Sequence, residues 1–202
     1  MESLSRRLVY YLRHDPAAPR DSAGYVTLQH LSEYFHLTRP TLNSIVDLPA
    51  DKKRLFLSPC GEKMRAGAGH SVTDVNIDHL AELVTDAATV TYCRHATTIE
   101  SWNRIREKGL RPMSRRYVHF AHQPSSLRQH REVVLSLKVR DYLASVQKLY
   151  QLPNGCYAAM GNRHGTIRPC YLTARKLPRF NSIAPPEPEV LQEPRRVAGL
   201  PA

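Results

Sequence analysis

The sequence lacks the long hydrophobic runs that a membrane protein needs. No apolar stretch approaches the roughly 20 residues with which a helix crosses a bilayer. The N-terminal residues, MESLSRRLVYYLRH, contain neither a long apolar segment nor a small-residue cleavage site. We therefore expect no membrane span and no signal peptide, and a protein that stays in the cytoplasm.

Cysteine is also scarce. The four cysteines, Cys60, Cys93, Cys156 and Cys170, stand far apart in a chain of 202 residues. No pair has C-x-x-C spacing, and no neighbouring histidines complete a metal-ligand pattern. We predict free thiols that behave as small apolar side chains, no disulfide framework and no metal site.

Acidic residues are few in comparison with basic ones. The chain has 29 Lys and Arg residues against 18 Asp and Glu residues, which gives a formal net charge of +11. This excess favours a polyanionic partner, nucleic acid first. A solvated basic surface would have the same net charge. However, the arginines recur inside separate short motifs rather than in one tail, which favours a binding role.

The N-terminal half has the pattern of three helices followed by a hairpin. Apolar spacing predicts a helix over residues 3–14, which Pro16 ends. Thr27 follows a short strand and can cap a second helix, and Thr38 precedes a third. Turn residues between two short strands predict a hairpin over residues 52–66. We interpret residues 1–88 as a winged-helix-like lobe, an architecture that commonly binds nucleic acid.

The C-terminal half predicts an α+β lobe with a mainly antiparallel sheet over residues 89–180. Thr97 and Glu100 have the spacing of a capping box, which would open a helix that ends at Gly109. The strands are predicted at five places: residues 90–93, 117–121 and 132–139, a hairpin around Asn154-Gly155, and residues 170–174. From residue 181 the chain becomes rich in proline and charge, so we predict a disordered tail over residues 181–202.

Four short patterns contain residues suited to binding anions. They are Arg13-His14 at the end of the first helix, the segment Arg65 to Ser71 with its two glycines, two histidines in strands (His95 and His119), and Arg128 before a strand. Closely spaced glycines allow backbone amides to cradle an anion. Each pattern also has an ordinary structural explanation, such as cations that complement a helix dipole, a flexible linker, core histidines or a solubilising arginine.

Taken together, the order and spacing of these patterns resemble those of the RNA 2′-phosphotransferase family, the Tpt1/KptA proteins. The resemblance covers about residues 5–172. The blocks that carry it are, in order, Leu8 to Pro16, Asp21 to Val26, Asp51 to Leu55, Arg65 to Ser71, Arg94 to Thr97, Val118 to Ala121, Arg128, Leu149 to Cys156 and Arg168 to Leu172.

The resemblance implies a winged-helix-like lobe followed by an ADP-ribosyltransferase-like lobe, with the active site in the cleft between them. It implies that the catalytic residues are Arg13, His14, Arg65 and Arg128. It further implies that a second set helps to hold NAD as a co-substrate: Gly67, Gly69, His70, Ser71, His95, Thr97 and His119. The expected partners are NAD and an RNA with an internal 2′-phosphate. The protein is expected to be a monomer.

The reaction implied by the resemblance has two steps. The RNA 2′-phosphate first attacks the anomeric carbon of the NAD ribose and expels nicotinamide. A ribose hydroxyl then attacks the phosphorus, which releases RNA with a 2′-OH and ADP-ribose cyclic phosphate. Because the phosphate is already an anionic nucleophile, the site needs positioned cations more than a strong base. Guanidinium groups bind phosphate bidentately and stay charged at neutral pH.

Three positions depart from the family pattern. Ala68 replaces a glutamine, Ala96 replaces a glycine and Ala121 replaces a serine, so we expect weaker NAD binding rather than loss of activity. Two other functions remain open at this stage. One is ADP-ribosylation of terminal phosphates on nucleic acid, which stops after the first step. The other is a nucleic-acid-binding module without catalysis.

Overall fold

The computed structural model of the protein describes residues 2–46, 53–127 and 132–177. The predicted tail over residues 181–202 lies outside these ranges, as does Arg128. The helices are α1 (Glu2–His14), α2 (Leu28–Phe35), α3 (Arg39–Val46), α4 (Ile77–Leu80), α5 (Ile99–Lys108) and α6 (Val139–Ala144). The strands are β1 (Val26–Thr27), β2 (Leu55–Leu57), β3 (Lys63–Ala66), β4 (Glu82–Leu83), β5 (Arg94–Thr97), β6 (Val118–Phe120), β7 (Val133–Leu137), β8 (Leu149–Gln151), β9 (Tyr157–Ala159) and β10 (Leu172–Lys176).

The N-terminal half packs α1, α2 and α3 against an antiparallel sheet of order β1-β3-β2. Its core contains Leu8, Leu12, Leu31 and Met64, all fully buried. The three predicted helices and the hairpin of β2 and β3 are confirmed. Thr27 caps α2 as predicted, because its side chain accepts a hydrogen bond from the backbone N–H of His30.

The C-terminal half contains two antiparallel sheets of order β10-β7-β5 and β4-β8-β9-β6. A single bridge between Arg94 and Ala121 joins β5 to the end of β6. The mixed helix and antiparallel-sheet architecture is therefore confirmed. In the part of the chain that the structure describes, no helix is both long and apolar enough to span a membrane.

The segment between β3 and β4 connects the two halves. Ala68, Val75 and Ile77 from this segment share a buried cluster with Tyr150 and other side chains of the β8–β9 hairpin. The Tyr150 hydroxyl also donates a hydrogen bond of 2.6 Å to Asp78 in α4. This packing holds the glycine-containing segment after β3 against the second half of the chain.

Two sequence predictions in the second half were wrong in position. The strand expected over residues 90–93 is β5, and it begins at Arg94. Its partner β7 ends at Leu137, whose N–H donates to Cys93, and α6 begins at Val139. Among the described residues, no strand lies beside residues 90–92 to form a ladder with them, although Val90, Thr91 and Tyr92 are residue types that favour strands.

The cap of α5 is Thr98 rather than Thr97. The Thr98 side chain accepts a hydrogen bond from the N–H of Ser101 at 3.1 Å. Thr97 remains paired with Val133 in the sheet, so its backbone belongs to β5. The helix ends at Gly109 as predicted, where a φ of 81° favours glycine.

Candidate active site

The loop after β3 holds the end of α1 through two hydrogen bonds from one residue. The Ser71 N–H donates to the Arg13 carbonyl at 3.1 Å, and the Ser71 hydroxyl is bonded to His14 Nδ1 at 2.9 Å. Gly69, with φ of 85°, passes so close to Arg13 that a Cβ there would lie 3.5 Å from the guanidinium carbon. The predicted residues of the first helix and of the glycine-containing segment therefore meet at one place.

Arg13 lies half-buried at this place, without a carboxylate partner among residues 2–46, 53–127 and 132–177. Its Nε is buried and has no hydrogen-bond partner among the described residues. Burial and, to a smaller extent, the positive charges of Arg115 and Arg54 together lower the Arg13 pKa to about 10. Arg13 stays charged at neutral pH, so an anion is the ligand that would relieve both the desolvation and the repulsion.

His70 lies beneath Arg13 and is almost completely buried. Burial is the largest cause that lowers its pKa to about 3, followed by the charge of Arg13. His70 Nε2 also has no hydrogen-bond partner in the described parts of the chain. His70 is therefore a neutral imidazole at neutral pH, with one buried nitrogen that a ligand could satisfy.

Arg65 occupies the outer face of the small sheet, close to this loop. Its guanidinium lies 4.5 Å from the centre of the Tyr25 ring and donates to the Ala23 carbonyl at 3.2 Å. Its Nε is buried and, within the described ranges, has no partner. No hydrogen bond joins Arg65 to Arg13 among these residues; a shared phosphate would have to bridge them.

His119 brings the second half of the chain to the same cluster. Burial lowers its pKa to about 4, and Arg115 and Arg13 both lower it as well. His119 Nδ1 donates to the Tyr117 carbonyl at 3.0 Å, which leaves Nε2 as an acceptor. His95 Nδ1 donates to the His119 carbonyl at 2.9 Å, so His95 lies behind His119 on the neighbouring strand.

Three arginines in the cluster, Arg20, Arg54 and Arg115, were not predicted as site residues by the sequence analysis. Arg115 is exposed, and its charge lowers the pKa values of Arg13, His14 and His119. Arg20 has a fully buried side chain and pairs with Asp74 at 3.0 Å. Arg115 could have been noticed from the Arg115-Arg116 pair directly before the strand of His119. Arg20 follows a helix in an irregular segment and has no periodic signal.

The structure thus brings together Arg13, His14, Gly69, His70, Ser71 and His119, from both halves of the chain. Gly67 and Arg65 lie at the edge of this group, His95 is one strand behind it, and Thr97 lies further along the strand of His95. Arg128 lies outside the described residues. Desolvation and neighbouring cations lower the pKa of His14, so the group combines neutral imidazoles with charged guanidiniums.

A narrow pocket opens beside the cluster. It is lined by Gly69, His70, Val75, Ile77, Leu80, Arg116, Tyr117, His119 and Leu152. Its lining combines apolar side chains, such as Val75, Ile77 and Leu80, with the imidazoles of His70 and His119. Such a surface can pack against a planar ring and hydrogen-bond a ribose or pyrophosphate. Within the described ranges, no group of three or more His, Cys, Asp or Glu residues is arranged to hold a metal ion.

Known proteins of one family are similar to this chain over most of its length. The family model described as "RNA 2′-phosphotransferase, Tpt1/KptA family" matches residues 1–161. A protein of Pseudomonas aeruginosa (strain UCBPP-PA14) named "Probable RNA 2′-phosphotransferase" is 33% identical over 170 residues, which is 78% of this chain and 90% of that protein. A protein of Pectobacterium carotovorum (strain PC1) with the same name is 29% identical over 170 residues, which is 78% of this chain and 88% of that protein.

Proposed function

The chain belongs to the RNA 2′-phosphotransferase family, and from this membership we propose that it removes the 2′-phosphate of spliced tRNA in an NAD-dependent reaction. The observation that carries the proposal is the half-buried Arg13. Its charge is close to those of Arg54 and Arg115 and has no carboxylate partner in the part of the chain that the structure describes. A 2′-phosphate approaches a charge of −2 at neutral pH, and it is the kind of ligand that such a group of cations stabilises.

The proposal assigns phosphate binding to arginines from different elements. Arg13 at the end of α1 and Arg65 at the end of β3 each have a buried Nε without a partner in the described residues. Arg128 would complete the set, as the family resemblance implies. Fixed guanidiniums are the groups that stabilise the charge on a phosphoryl transition state, because they need no reorganisation during the reaction.

The pocket beside Arg13 fits NAD in the chemistry of its residues. The apolar side chains of Val75 and Ile77 suit a planar ring, and the neutral imidazoles of His70 and His119 suit the ribose hydroxyls. NAD would supply an ADP-ribosyl group for the phosphate, with nicotinamide as the leaving group. His119 would accept a hydrogen bond through Nε2, since its Nδ1 is already committed to the Tyr117 carbonyl.

His14 is assigned to proton transfer. Desolvation and the charges of Arg13 and Arg115 lower its pKa below the ordinary value of 6.5, so it is neutral at pH 7 and able to accept a proton. The hydrogen bond to Ser71 fixes the ring through Nδ1. The remaining nitrogen, Nε2, is the atom that would accept a proton from a ribose hydroxyl.

The test is incubation with NAD and an oligoribonucleotide that carries one internal 2′-phosphate, followed by separation of the products. We expect an RNA with a 2′-OH, free nicotinamide and ADP-ribose cyclic phosphate. Arg13→Ala and Arg65→Ala should each lower turnover by on the order of 100-fold. The matched control is Arg163→Ala, which removes the same charge from an exposed turn and should stay within about twofold.

Other products would identify other functions. An RNA that keeps its phosphate and gains an ADP-ribosyl group would indicate a reaction that stops after the first step. Binding of RNA without any consumption of NAD would indicate a non-catalytic nucleic-acid-binding module. Near-normal turnover of both the Arg13 and Arg65 variants would refute the assignment of the cationic cluster.

A further inference from the structure

Helix α1 carries an exposed aromatic side chain next to the candidate active site. Tyr10 is 66% exposed, although it lies in a helix whose neighbouring residues Val9 and Tyr11 are buried. Its ring centre is 5.2 Å from that of His14, one helical turn further along, with an angle of 53° between the planes. The exposed face of α1 therefore leads from Tyr10 directly to a residue of the cluster.

Packing of the core does not account for this exposed tyrosine. The apolar face of α1 is provided by Leu8, Tyr11 and Leu12, all of which are at most 3% exposed. Tyr34 is a second exposed tyrosine of the N-terminal half, with 52% of its surface exposed. Tyr34 nevertheless stacks on Tyr11 at 4.4 Å, so it contributes to an aromatic cluster of the fold.

The surroundings of Tyr10 are basic. Arg6 and Arg7 lie about one turn before Tyr10 and are exposed, and the Arg7 guanidinium lies 5.8 Å from the centre of the Phe35 ring. The sequence of α1 contains three arginines, Arg6, Arg7 and Arg13, against one acidic residue, Glu2, at its start. Arg6, Tyr10 and His14 follow one another at i, i+4 and i+8, which places them in a row along one side of the helix.

We propose that Tyr10 stacks against the base of the nucleotide next to the 2′-phosphorylated one, and that Arg6 binds the backbone phosphate beyond it. This inference rests on the proposed function for the position of the 2′-phosphate at Arg13 and His14. An exposed aromatic ring next to a basic side chain, as Tyr10 is next to Arg6, is a usual combination with which proteins bind single-stranded RNA. The row along α1 would thereby extend the substrate site beyond the reacting phosphate.

The binding test uses a short single-stranded oligoribonucleotide with an internal 2′-phosphate and 2-aminopurine as the adjoining base. Binding to the unaltered protein should quench the 2-aminopurine fluorescence, since a stacked base is quenched. Tyr10→Ala should abolish the quenching and weaken binding by roughly 5- to 100-fold, the range for one stacked base. Tyr10→Phe should restore both signals, because the phenyl ring can also stack.

Tyr34→Ala is the matched control for the loss of an exposed tyrosine on the same lobe. It should leave quenching and RNA affinity unchanged when measured at a temperature at which both variants are folded. Equal RNA binding by the Tyr10→Ala and Tyr34→Ala variants would overturn the proposal. Absence of RNA binding by the unaltered protein would overturn it as well.

A turnover measurement distinguishes two roles of Tyr10: stacking on an RNA base, and packing against the His14 ring. Stacking predicts that Tyr10→Ala raises the KM for the oligoribonucleotide but not for a mononucleotide with the same 2′-phosphate. Loss of His14 support predicts an equal fall in kcat for both substrates, which would contradict the proposal. If the unaltered protein turned over neither substrate, the proposed function would fail. The binding measurement, which needs no turnover, would still decide on Tyr10.

Discussion

Arg13 illustrates how a single residue can be held ready for an anion. Burial removes hydration from the Arg13 guanidinium, and no hydrogen bond within the described structure replaces it at the buried Nε. The hydrogen bond from the Ser71 N–H to the Arg13 carbonyl and the contact with Gly69 hold Arg13 in this position despite the loss of hydration. Under the proposed function, this arrangement would bind the phosphate dianion with little reorganisation during the reaction.

We predict that stability of the fold requires glycine at residue 67, because the Phe56 side chain packs against it. A Cβ at residue 67 would lie 2.3 Å from Cε2 of Phe56, so the ring lies directly on the Gly67 backbone. Gly67→Ala should displace the ring and lower the free energy of unfolding by about 1 to 3 kcal/mol. Urea-induced unfolding would measure the change.

The double variant tests the steric cause of that loss. With Phe56→Ala in the background, the added methyl group has space, so Gly67→Ala should then cost less than about 0.5 kcal/mol. If Gly67→Ala destabilised both backgrounds equally, contact with Phe56 would not be the reason for glycine at this position.

Among the secondary-structure elements, those with strong local signals were predictable. Helix α1 has a regular apolar spacing, α2 has its Thr27 cap, and the β8–β9 hairpin has its Asn154-Gly155 turn. The short helices α4 and α6 were not predicted. Each has at most six residues, and tertiary packing rather than local sequence stabilises elements of this length. Strand β5 was misplaced because its bounds depend on where its distant partner β7 ends.

The corrected start of α5 makes a prediction at the level of this element. Thr98→Ala removes the side-chain acceptor for the Ser101 N–H and should destabilise the protein by about 1 kcal/mol. Thr98→Ser keeps an acceptor hydroxyl and should stay close to the unaltered protein. Thermal unfolding of the three proteins provides the measurement.

Thr97→Ala is the control for the neighbouring residue. Because Thr97 pairs within the sheet opposite Val133, its replacement should change stability by only a few tenths of a kcal/mol. A larger loss for Thr97→Ala than for Thr98→Ala would mean that the capping residue had been assigned wrongly. Under the proposed function, Thr97→Ala would instead affect the KM for NAD.

In the whole molecule, the candidate site is assembled by long-range contacts that local sequence patterns do not predict. Arg13, Ser71 and His119 are separated by dozens of residues and meet because the segment between β3 and β4 packs on the β8–β9 hairpin. The family resemblance predicted that these residues belong to one site. It did not predict that Arg20 and Arg115 would add to the positive charge around them, since neither belongs to a quoted motif.

The two buried histidines of this shared site predict how stability depends on pH. Burial is the main cause that lowers the pKa of His70 to about 3 and that of His119 to about 4. The unfolded chain binds these protons near pH 6.5, whereas the folded chain binds them only at lower pH. Below pH 6.5 the unfolded state therefore holds more protons. The free energy of unfolding should be at its full value above pH 6.5 and fall with acidification by up to about 1.4 kcal/mol per pH unit for each histidine.

Urea-induced unfolding from about pH 7.5 to about pH 5 would measure this dependence. His70→Gln removes one of the two titrating groups, so the free energy of unfolding of this variant should fall less steeply below pH 6.5. His164→Gln alters a histidine at an exposed turn and should keep the slope of the unaltered protein. If the His70 variant kept that slope as well, the unfolded and folded chains would protonate His70 alike. The imidazole would then not be the buried, uncharged group beneath Arg13 on which the electrostatics of the site depend.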